Sequence, residues 1–471
     1  MDYSPPRAAN LEEHRRVVGW LKVFIGLLVS LVVLYPFLLL TGFFDVREQA
    51  WPQFEPKPVE GESITTILDR QPAYARWKSL QPSDKDPVSR EDMLERRERR
   101  KEFRQASNDL VLALAKDPTS WGLVPELGLT PGQQVDRWVE ESREFPWLAQ
   151  EVVWHWLRTK PSPGGREQLV EVACALRRIG NRFSRLPVHH SLCRAIESTS
   201  HPLVLEATRQ CVLAGDSVSL AEIASELSAS GADHRGAIAG QLVQFFFGYQ
   251  DRAHLIRAHQ LPIWMWRDDR HPWPRGDKKC KASQWWADVR FLPNRETRMA
   301  AEAIEQTLCE FQQPAVSRPR RLPATPAKDF TLSLAPNAGG EWLRPSYLEW
   351  PLIGMMDVED YDLTCHRLMV ALVAVCRYKT EHQAYPKDLS ALMPRYLSAI
   401  PEDPYDGKPL RFDPWRGVLW SVGSDGIDGG GVNKEIRDAP KAFNLIAPWN
   451  SLPHNHTEIQ VDVARFLTSV P

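Results

Sequence analysis

The sequence predicts an α+β protein with an N-terminal transmembrane helix, a largely all-α central domain and a small α+β C-terminal domain with an antiparallel sheet. Three observations indicate this arrangement. An uncharged apolar segment lies near the N-terminus, apolar residues recur at helical spacing through the middle of the chain, and strand-like segments surround a glycine-rich turn near the C-terminus. A chain of 471 residues is also long enough to bury a substantial core.

The transmembrane helix is predicted from the 22 residues of Val23 to Phe44, which contain no charge. At about 1.5 Å per residue, this segment can cross a hydrocarbon core about 30 Å thick. It is longer than the apolar part of a signal peptide and has no small-residue cleavage site after it, so we interpret it as a retained anchor. Arg15 and Arg16 precede it, and the positive-inside rule therefore places residues 1–16 in the cytoplasm.

We expect the chain to have six parts. They are a cytoplasmic tail (1–16), a transmembrane helix (17–44), a spacer (45–89), a helical extracytoplasmic domain (90–313), a linker (314–328) and a C-terminal domain (329–471). The linker is predicted from its four prolines and four basic residues, a composition typical of a semi-rigid spacer.

Composition excludes one class of protein. The sequence contains 58 basic and 60 acidic residues, which gives a formal charge of −2. Nucleic-acid-binding domains, by contrast, are usually strongly basic. We therefore expect no nucleic-acid partner. The seven cysteines include no C-x-x-C pair, and we interpret them as buried structural thiols.

Helices are predicted through the central domain from apolar residues at three- and four-residue steps. The segment Arg90 to Arg104 is interpreted as a solvated helix, because acidic residues interrupt each of its basic clusters. Further helices are expected at Leu169–Ile179, Leu203–Leu213, Leu220–Leu227, Ile238–Tyr249 and Asn294–Phe311.

A tryptophan-rich segment at 263–286 interrupts this helical pattern. Its tryptophans are interleaved with basic residues, and flat aromatic rings beside cations can stack on sugars or on an extended polymer. The alternative is that the rings cover the open end of the helical core, since large aromatic side chains mostly serve packing. The candidate binding residues are Trp264, Trp266, Trp273, Trp285 and Trp286.

The C-terminal domain is predicted to begin with a helix over Glu359 to Glu381. A second helix is expected from Tyr385-Pro386 to Leu397, because proline is favoured in the first helical turn. The segment Ile400 to Phe412 is then predicted as a turn that feeds a strand, and Val418 to Val422 as a second strand.

The turn Gly423 to Gly431 carries Asp425 and Asp428, two carboxylates three positions apart. Glycine accepts positive φ, so the loop can fold back and direct carboxylate and backbone oxygens at one point, as Ca²⁺ requires. The alternative is a hairpin turn that needs glycine and aspartate only for its backbone geometry. Two carboxylates alone also fall short of the roughly six to eight oxygens of a calcium site.

A series of residues in this domain resembles a known family. The residues are Tyr385-Pro386, Leu389, Leu392, Pro394, Tyr396-Leu397, Pro401, Asp403-Pro404, Gly407 and Pro409, then Ser421, Gly423, Asp425-Gly426 and Gly429-Gly430. In order and spacing they resemble the C-terminal part of the major pseudopilins of type II secretion, over residues 359–433. The resemblance implies a Ca²⁺ site in the terminal loop, for which the candidate ligands are Asp425, Asp428, Asn433 and Asp438.

The chain departs from that family in two respects. About 310 residues separate the membrane helix from the pseudopilin-like domain, and the segment Gly19 to Phe24 lacks the glutamate of the family's peptidase site. Assembly into a pseudopilus therefore does not follow, and we expect the domain to be carried on a fixed anchor. With the anchor and its orientation, we expect a single-pass protein of the bacterial inner membrane, with most of the chain in the periplasm or otherwise outside the cytoplasm.

Known catalytic motifs are missing from the sequence. It contains no G-x-S-x-G, P-loop or dinucleotide fingerprint, and we interpret His189-His190 and His454-Asn455-His456 as surface histidines. We assign no catalytic residue and expect a non-catalytic binding or scaffolding protein of the cell envelope, whose partners are other envelope proteins or cell-wall polymer. The alternative is an envelope enzyme that acts on glycan or peptide, with the tryptophan-rich segment as its substrate platform.

Overall fold

The computed structural model describes residues 16–25, 34, 59–81, 90–123, 129, 131–158, 165–186, 190–229, 234–257, 291–319, 337, 340, 344, 348–431 and 459–468. The chain forms two compact units, each built from several segments. The smaller unit comprises Met1–Pro52, Gly248–Ala303 and Pro323–Pro351, and the larger comprises Gln53–Phe247, Ile304–Leu322 and Leu352–Pro471. The described residues are mostly helical with one small antiparallel sheet, which confirms a largely helical α+β fold.

The predicted transmembrane segment lies mostly outside the described residues. Residues 16–25 and Leu34 are helical, whereas 26–33 and 35–44 fall outside. Among the helices that the structure describes, none combines the length and the apolar composition needed to cross a bilayer.

From residue 90 onward the helices largely follow the predicted pattern with wider bounds, whereas two helices, at Ile64–Arg70 and Pro72–Ser79, lie in the predicted spacer 45–89. In chain order they are α1 (Ile64–Arg70), α2 (Pro72–Ser79), α3 (Arg90–Lys116), α4 (Pro131–Ser142), α5 (Glu144–Arg158), α6 (Gly165–Ser184), α7 (His190–Ala214), α8 (Ser217–Ala229), α9 (Arg235–Arg257), α10 (Pro293–Phe311), α11 (Trp350–His382) and α12 (Val463–Thr468). The helix predicted to begin at Leu203 is the second half of α7, which continues through Pro202. Within the larger unit, α7 is central, because α5, α6, α8 and α12 all contact it.

One hydrophobic core extends through the larger unit. It contains Leu110 and Val152 from the central helices together with Leu372 of α11 and Leu419 of the sheet, and all four side chains are fully buried. Burial of such side chains is the main favourable contribution to folding, at about 1.5–3 kcal/mol for each. The central helices and the C-terminal region therefore stabilise each other through shared packing.

The sheet has three strands, β1 (Arg411–Asp413), β2 (Val418–Ser421) and β3 (Ile459–Asp462), in the order β1-β2-β3. Both pairings are antiparallel, and all four residues of β2, the central strand, are buried. The first two strands agree with the prediction. The third strand was not predicted, because four residues near the chain end give too short a pattern to recognise.

The second predicted helix of the C-terminal domain is wrong in its type and length. Only a 3₁₀ turn forms, at Leu389–Leu392, and Asp388 caps it by accepting a hydrogen bond from Ala391 N at 3.1 Å. Met393 leaves the turn in an extended conformation, with φ −88° and ψ 149°. The reason is Pro394, which disfavours the α conformation in the residue before it.

In the smaller unit, a buried carboxylate connects separate segments. Glu296 accepts hydrogen bonds from Tyr249 Oη at 2.8 Å and from Asn337 Nδ2, and Arg344 Nε lies 3.5 Å from its Oε2. A Cβ placed on Gly340 would be 2.4 Å from Glu296 Oε1, so glycine is required for this close approach. These contacts hold Glu296 in place within a buried polar group.

Candidate functional site: a buried histidine–glutamate cluster

Two helices of the larger unit direct polar side chains into its interior. Their positions repeat at steps of three or four residues, which place side chains on one face of a helix. The residues are His190, Arg194, Glu197 and His201 on α7, and Glu359, Asp362 and His366 on α11. All except Arg194 are buried.

His234 lies just before α9 and is enclosed by two carboxylates. Its Nδ1 is 2.9 Å from Oε1 and 2.7 Å from Oε2 of Glu359, and its Nε2 is 2.8 Å from Oε2 of Glu197. The carbonyl oxygen of His234 accepts a hydrogen bond from Ile238 N at 2.8 Å. The first turn of α9 therefore fixes the backbone that carries this imidazole.

His190 brings a second imidazole to Glu359. Its Nε2 is 2.9 Å from Glu359 Oε2, and its ring centroid lies 5.7 Å from that of His234. One ligand atom from each of these three residues falls within 4.8 Å of the others, and the same holds for Cys193, Glu197 and His234. We call His190, His234, Glu359 and Glu197 the histidine–glutamate cluster.

Electrostatics explains why these groups are stable together without solvent. Burial by itself would lower the pKa of His234, but the carboxylates of Glu197 and Glu359 outweigh it and raise that pKa well above its ordinary value. Burial would likewise raise the pKa of Glu197, yet His234 and the charge of Arg177 lower it to about 2. The pKa of Glu359 is also lowered, because its two histidine partners outweigh its burial.

Arg177 of α6 lies beside the cluster and contacts two further histidines. Its Nη1 is 3.4 Å from His201 Nε2, and its Nη2 is 3.2 Å from His366 Nδ1. Burial, followed by the charge of Arg177, lowers the pKa of both histidines to about 3. A guanidinium only donates hydrogen bonds, so both rings accept and are neutral.

The close packing of α6 against α7 depends on a small residue. A Cβ placed on Gly180 would lie 2.9 Å from Cγ of Glu197. Glycine at this position of α6 therefore leaves the space that the Glu197 side chain occupies.

The chemistry available to the cluster follows from its composition and its burial. Imidazole nitrogens and carboxylate oxygens can exchange protons or bind a divalent metal ion. The exposed fractions of His190, His234, Glu197 and Glu359 are 2%, 1%, 5% and 7%. In this conformation the side chains of the cluster face other protein groups and are almost closed to solvent.

A different polar group, centred on Asp403, lies in the C-terminal region of the larger unit. This fully buried carboxylate accepts hydrogen bonds from Arg411 Nη1 at 2.6 Å, Ser421 Oγ at 2.8 Å and Val422 N at 2.9 Å. Arg411 also pairs with Asp406. The motif residues Asp403 and Ser421 therefore connect the turn before β1 to the end of β2.

The two described candidate calcium ligands, Asp425 and Asp428, each accept hydrogen bonds from groups of the protein. Asp428 Oδ1 accepts hydrogen bonds from Trp420 Nε1 and Gly430 N, both at 3.0 Å, and Asp428 Oδ2 lies 3.3 Å from Arg411 Nε. The hydrogen bond from Trp420 is the largest cause of a lowered pKa at Asp428. Asp425 is exposed, and its Oδ1 accepts a hydrogen bond from Ile427 N at 2.9 Å.

The glycines of this loop have the backbone conformation that a tight turn needs. Positive φ values of 72°, 69°, 77° and 67° occur at Gly423, Gly426, Gly430 and Gly431. This geometry agrees with the alternative interpretation, in which glycine and aspartate serve the turn itself.

The remaining predicted site residues lie outside the described residues. Asn433 and Asp438 fall in 432–458, and all five candidate tryptophans, Trp264, Trp266, Trp273, Trp285 and Trp286, fall in 258–290.

Sequence reasoning missed the histidine–glutamate cluster. The interpretation of His190 as a surface histidine is wrong, because its side chain is buried against Glu359. The spacing of His190, Arg194, Glu197 and His201 places them on one helix face, but polar residues at this spacing are equally typical of an exposed face. The partner of His190 on α11 was hidden, because Glu359 is 169 residues from His190 along the chain.

Comparisons with known proteins add no relative to this picture. No protein-family model matches the chain, no curated protein matches it significantly, and no solved structure does so either.

Proposed function

We propose that this protein is a single-pass, membrane-anchored protein of the bacterial envelope with a non-catalytic binding or scaffolding role. The observation that carries the proposal is the uncharged segment Val23 to Phe44 with basic residues before it, ahead of more than 400 further residues. The anchor would hold a large folded region outside the cytoplasm, where it would contact other envelope proteins or cell-wall polymer.

Burial of the polar groups supports the non-catalytic part of the proposal. In the part of the chain that the structure describes, both the histidine–glutamate cluster and Asp403 are buried and engaged by hydrogen bonds inside the protein. General acid–base catalysis needs a group within hydrogen-bond reach of the substrate. These groups reach protein partners instead.

The membrane part is tested by fractionation and topology mapping of the full chain. We expect the protein to stay in the membrane pellet after carbonate extraction, and a periplasm-active reporter fused after Pro471 to be active. The variant Leu31→Arg/Val32→Arg places two charges in the middle of the apolar segment and should release the protein, since each charge costs about 2.5–3.5 kcal/mol there. A wild-type protein found in the soluble fraction would refute the anchor.

The binding part is tested by crosslinking in intact cells, followed by purification from solubilised membranes. We expect a reproducible envelope protein or cell-wall fragment to be recovered with the full chain, and not with the Leu31→Arg/Val32→Arg variant. Hydrolysis of cell-wall glycan or peptide by the purified full chain, lost on substitution of a single acidic residue, would instead establish the enzyme alternative.

We further propose Asp425 as the candidate ligand of a weak Ca²⁺ site in the loop Gly423 to Gly431. The support is the resemblance to the pseudopilin loop and the exposed position of this carboxylate. Calorimetry of the full chain with millimolar Ca²⁺ should show heat that Asp425→Asn removes, with Asp413→Asn as the control in the neighbouring turn. Heat that is absent, or that persists in Asp425→Asn, would refute the site.

A further inference from the structure

The atoms of three buried side chains converge in the histidine–glutamate cluster. His190 Nε2 and His234 Nδ1 approach the same oxygen of Glu359, at 2.9 Å and 2.7 Å. We propose that His190, His234 and Glu359 bind one divalent transition-metal ion of the zinc class. In this proposal Glu197 does not touch the ion but orients His234. The inference stands independently of the membrane and scaffolding proposal.

The distances are compatible with an ion after a small adjustment. Zinc lies about 2.0–2.2 Å from nitrogen and oxygen ligands, so neighbouring ligand atoms around it are about 3.3 Å apart. The three ligand atoms already fall within 4.8 Å of one another. Each histidine–carboxylate contact would need to open by roughly half an ångström, which rotation of the side chains can supply.

The second nitrogen of His234 provides the strongest chemical argument. When a histidine binds a metal through one ring nitrogen, the other nitrogen usually donates a hydrogen bond to a carboxylate or carbonyl. His234 points Nδ1 at Glu359 and places Nε2 2.8 Å from Oε2 of Glu197. Glu197 therefore occupies the position of the carboxylate that fixes ring orientation and tautomer.

The donor set selects the class of metal. Two imidazole nitrogens with one carboxylate suit zinc and neighbouring transition metals, whereas calcium and magnesium take oxygen ligands. Glu359 offers both of its oxygens near His234, at 2.9 Å and 2.7 Å, so it can supply a fourth ligand atom by binding through both. The site thus provides up to four ligand atoms, as a closed zinc site requires.

The position in the fold indicates what the ion would do. His190 begins α7, His234 precedes α9 and Glu359 lies in α11, so an ion would join three segments that are distant in sequence. All three ligands are buried. A buried ion with protein ligands on all sides stabilises a fold rather than activating a water molecule.

The competing state contains a proton in place of the metal. With both ring nitrogens of His234 facing carboxylates, an imidazolium can donate to Glu359 and Glu197 at once. Metal ligands must be deprotonated, so metal binding would displace this proton. Arg177 and Cys193 also face this region and contribute to its electrostatics.

The first test uses the wild-type full chain purified in detergent without chelator. We expect elemental analysis to find close to one zinc per chain, and Co²⁺ substitution to give the visible absorption of a four-coordinate site. Removal of the metal with EDTA should lower the unfolding temperature, and added Zn²⁺ should restore it, because a ligand that binds only the folded state stabilises it.

Variants then assign the ligands. His234→Gln and Glu359→Gln should each remove stoichiometric zinc, while Glu197→Gln should retain it with an affinity about 10–100-fold lower, as expected for a group that only orients a ligand. His366→Gln is the matched control. His366 is a buried histidine on α11, the helix that carries Glu359, but it contacts Arg177 and not the cluster. The His366→Gln variant should bind zinc like the wild type.

The outcome that overturns the proposal can be obtained without any variant. A wild-type chain that takes up no zinc, shows no Co²⁺ absorption and gains no thermal stability from either ion has no metal site. Nitrogen chemical shifts of an imidazolium at His234 in the presence of excess Zn²⁺ would show that the cluster holds a proton instead. Zinc that binds equally well to His234→Gln and Glu359→Gln would place the site elsewhere.

Discussion

Glu359 and Asp403 are both buried carboxylates that organise polar groups, but their partners differ in kind and in sequence distance. Asp403 accepts from Arg411, Ser421 and Val422, which lie 8, 18 and 19 residues away. Glu359 accepts from His234 and His190, which lie 125 and 169 residues away. The partners of Asp403 are therefore near it in the sequence, whereas those of Glu359 come close to it only after folding.

The partner chemistry separates the two groups further. Arg411 stays protonated and offers no lone pair, so this partner of Asp403 cannot act as a metal ligand. Histidine changes charge near neutral pH and is a common metal ligand. The histidine–glutamate cluster therefore contains groups that can bind a metal ion or exchange protons near neutral pH.

The largest expected loss of stability comes from removing the carboxylate of Glu359, whose partners are distant in sequence. Glu359→Ala leaves His190 and His234 buried without their shared partner and should lower the free energy of unfolding by about 3–5 kcal/mol. Urea unfolding of the full chain measures this change. A loss below about 1 kcal/mol would show that water or another group readily replaces Glu359.

Asp403→Asn tests the polar group around Asp403. It should lower the free energy of unfolding by less, about 1.5–3 kcal/mol. It keeps one oxygen for Ser421 or Val422 N but removes the charge that faces Arg411. The same urea experiment gives the value. If Asp403→Asn lowers the free energy of unfolding more than Glu359→Ala does, the polar group around Asp403 contributes more to stability than the histidine–glutamate cluster.

Gly180→Ala tests how tightly the distant cluster is packed. The new methyl group would approach Glu197 Cγ to 2.9 Å, and overpacking of this kind should cost about 1–3 kcal/mol. Gly248→Ala is the matched helical control, since its Cβ would meet no atom within 4 Å, and it should be neutral or slightly stabilising. Equal stability of the two variants would contradict tight packing at Glu197.

The pH dependence of stability gives a prediction for the two histidines beside the cluster. His201 and His366 have a pKa of about 3 when folded, against an ordinary value of 6.5, so the unfolded chain binds more protons between these values. The free energy of unfolding therefore falls as pH falls from 6 to 5, by up to about 1.4 kcal/mol per pH unit for each histidine. Above pH 5 the carboxyl of Glu197 is largely ionised in both states, so it adds little to this change.

The double variant His201→Gln/His366→Gln isolates that contribution. It should flatten the dependence between pH 6 and pH 5 relative to the wild type, when unfolding is followed by urea at each pH. Arg177 and Glu197 remain in place as the charged neighbours of these positions. An unchanged slope would mean that other groups carry the acid sensitivity.

Much of the fold could be predicted from the sequence, because helices and adjacent strands depend on short-range patterns. The helices α6, α8 and α11 and the strands β1 and β2 all arise from local spacing of apolar residues. The predicted helix at 385–397 failed, since the effect of Pro394 on Met393 outweighed the helical pattern of its leucines.

The candidate site could not be predicted in the same way. His190 and His234 carry no motif spacing, and neither residue shows in sequence that it is buried. The loop with Asp425 and Asp428 was visible because its glycines and aspartates are contiguous. In the structure these residues form a tight turn, and Asp428 contacts Trp420 and Arg411.

By itself, the sequence determined the helical character of the chain, the hairpin of β1 and β2, and the turn that follows it. Each depends on residues within a few positions of one another, where spacing and backbone preference suffice. Only the tertiary structure decided that Glu359 lies between two imidazoles, and that Glu197 fits against Gly180. Those contacts arise when helices that are remote in sequence bury their polar faces together, because a buried charge is stable only beside a partner.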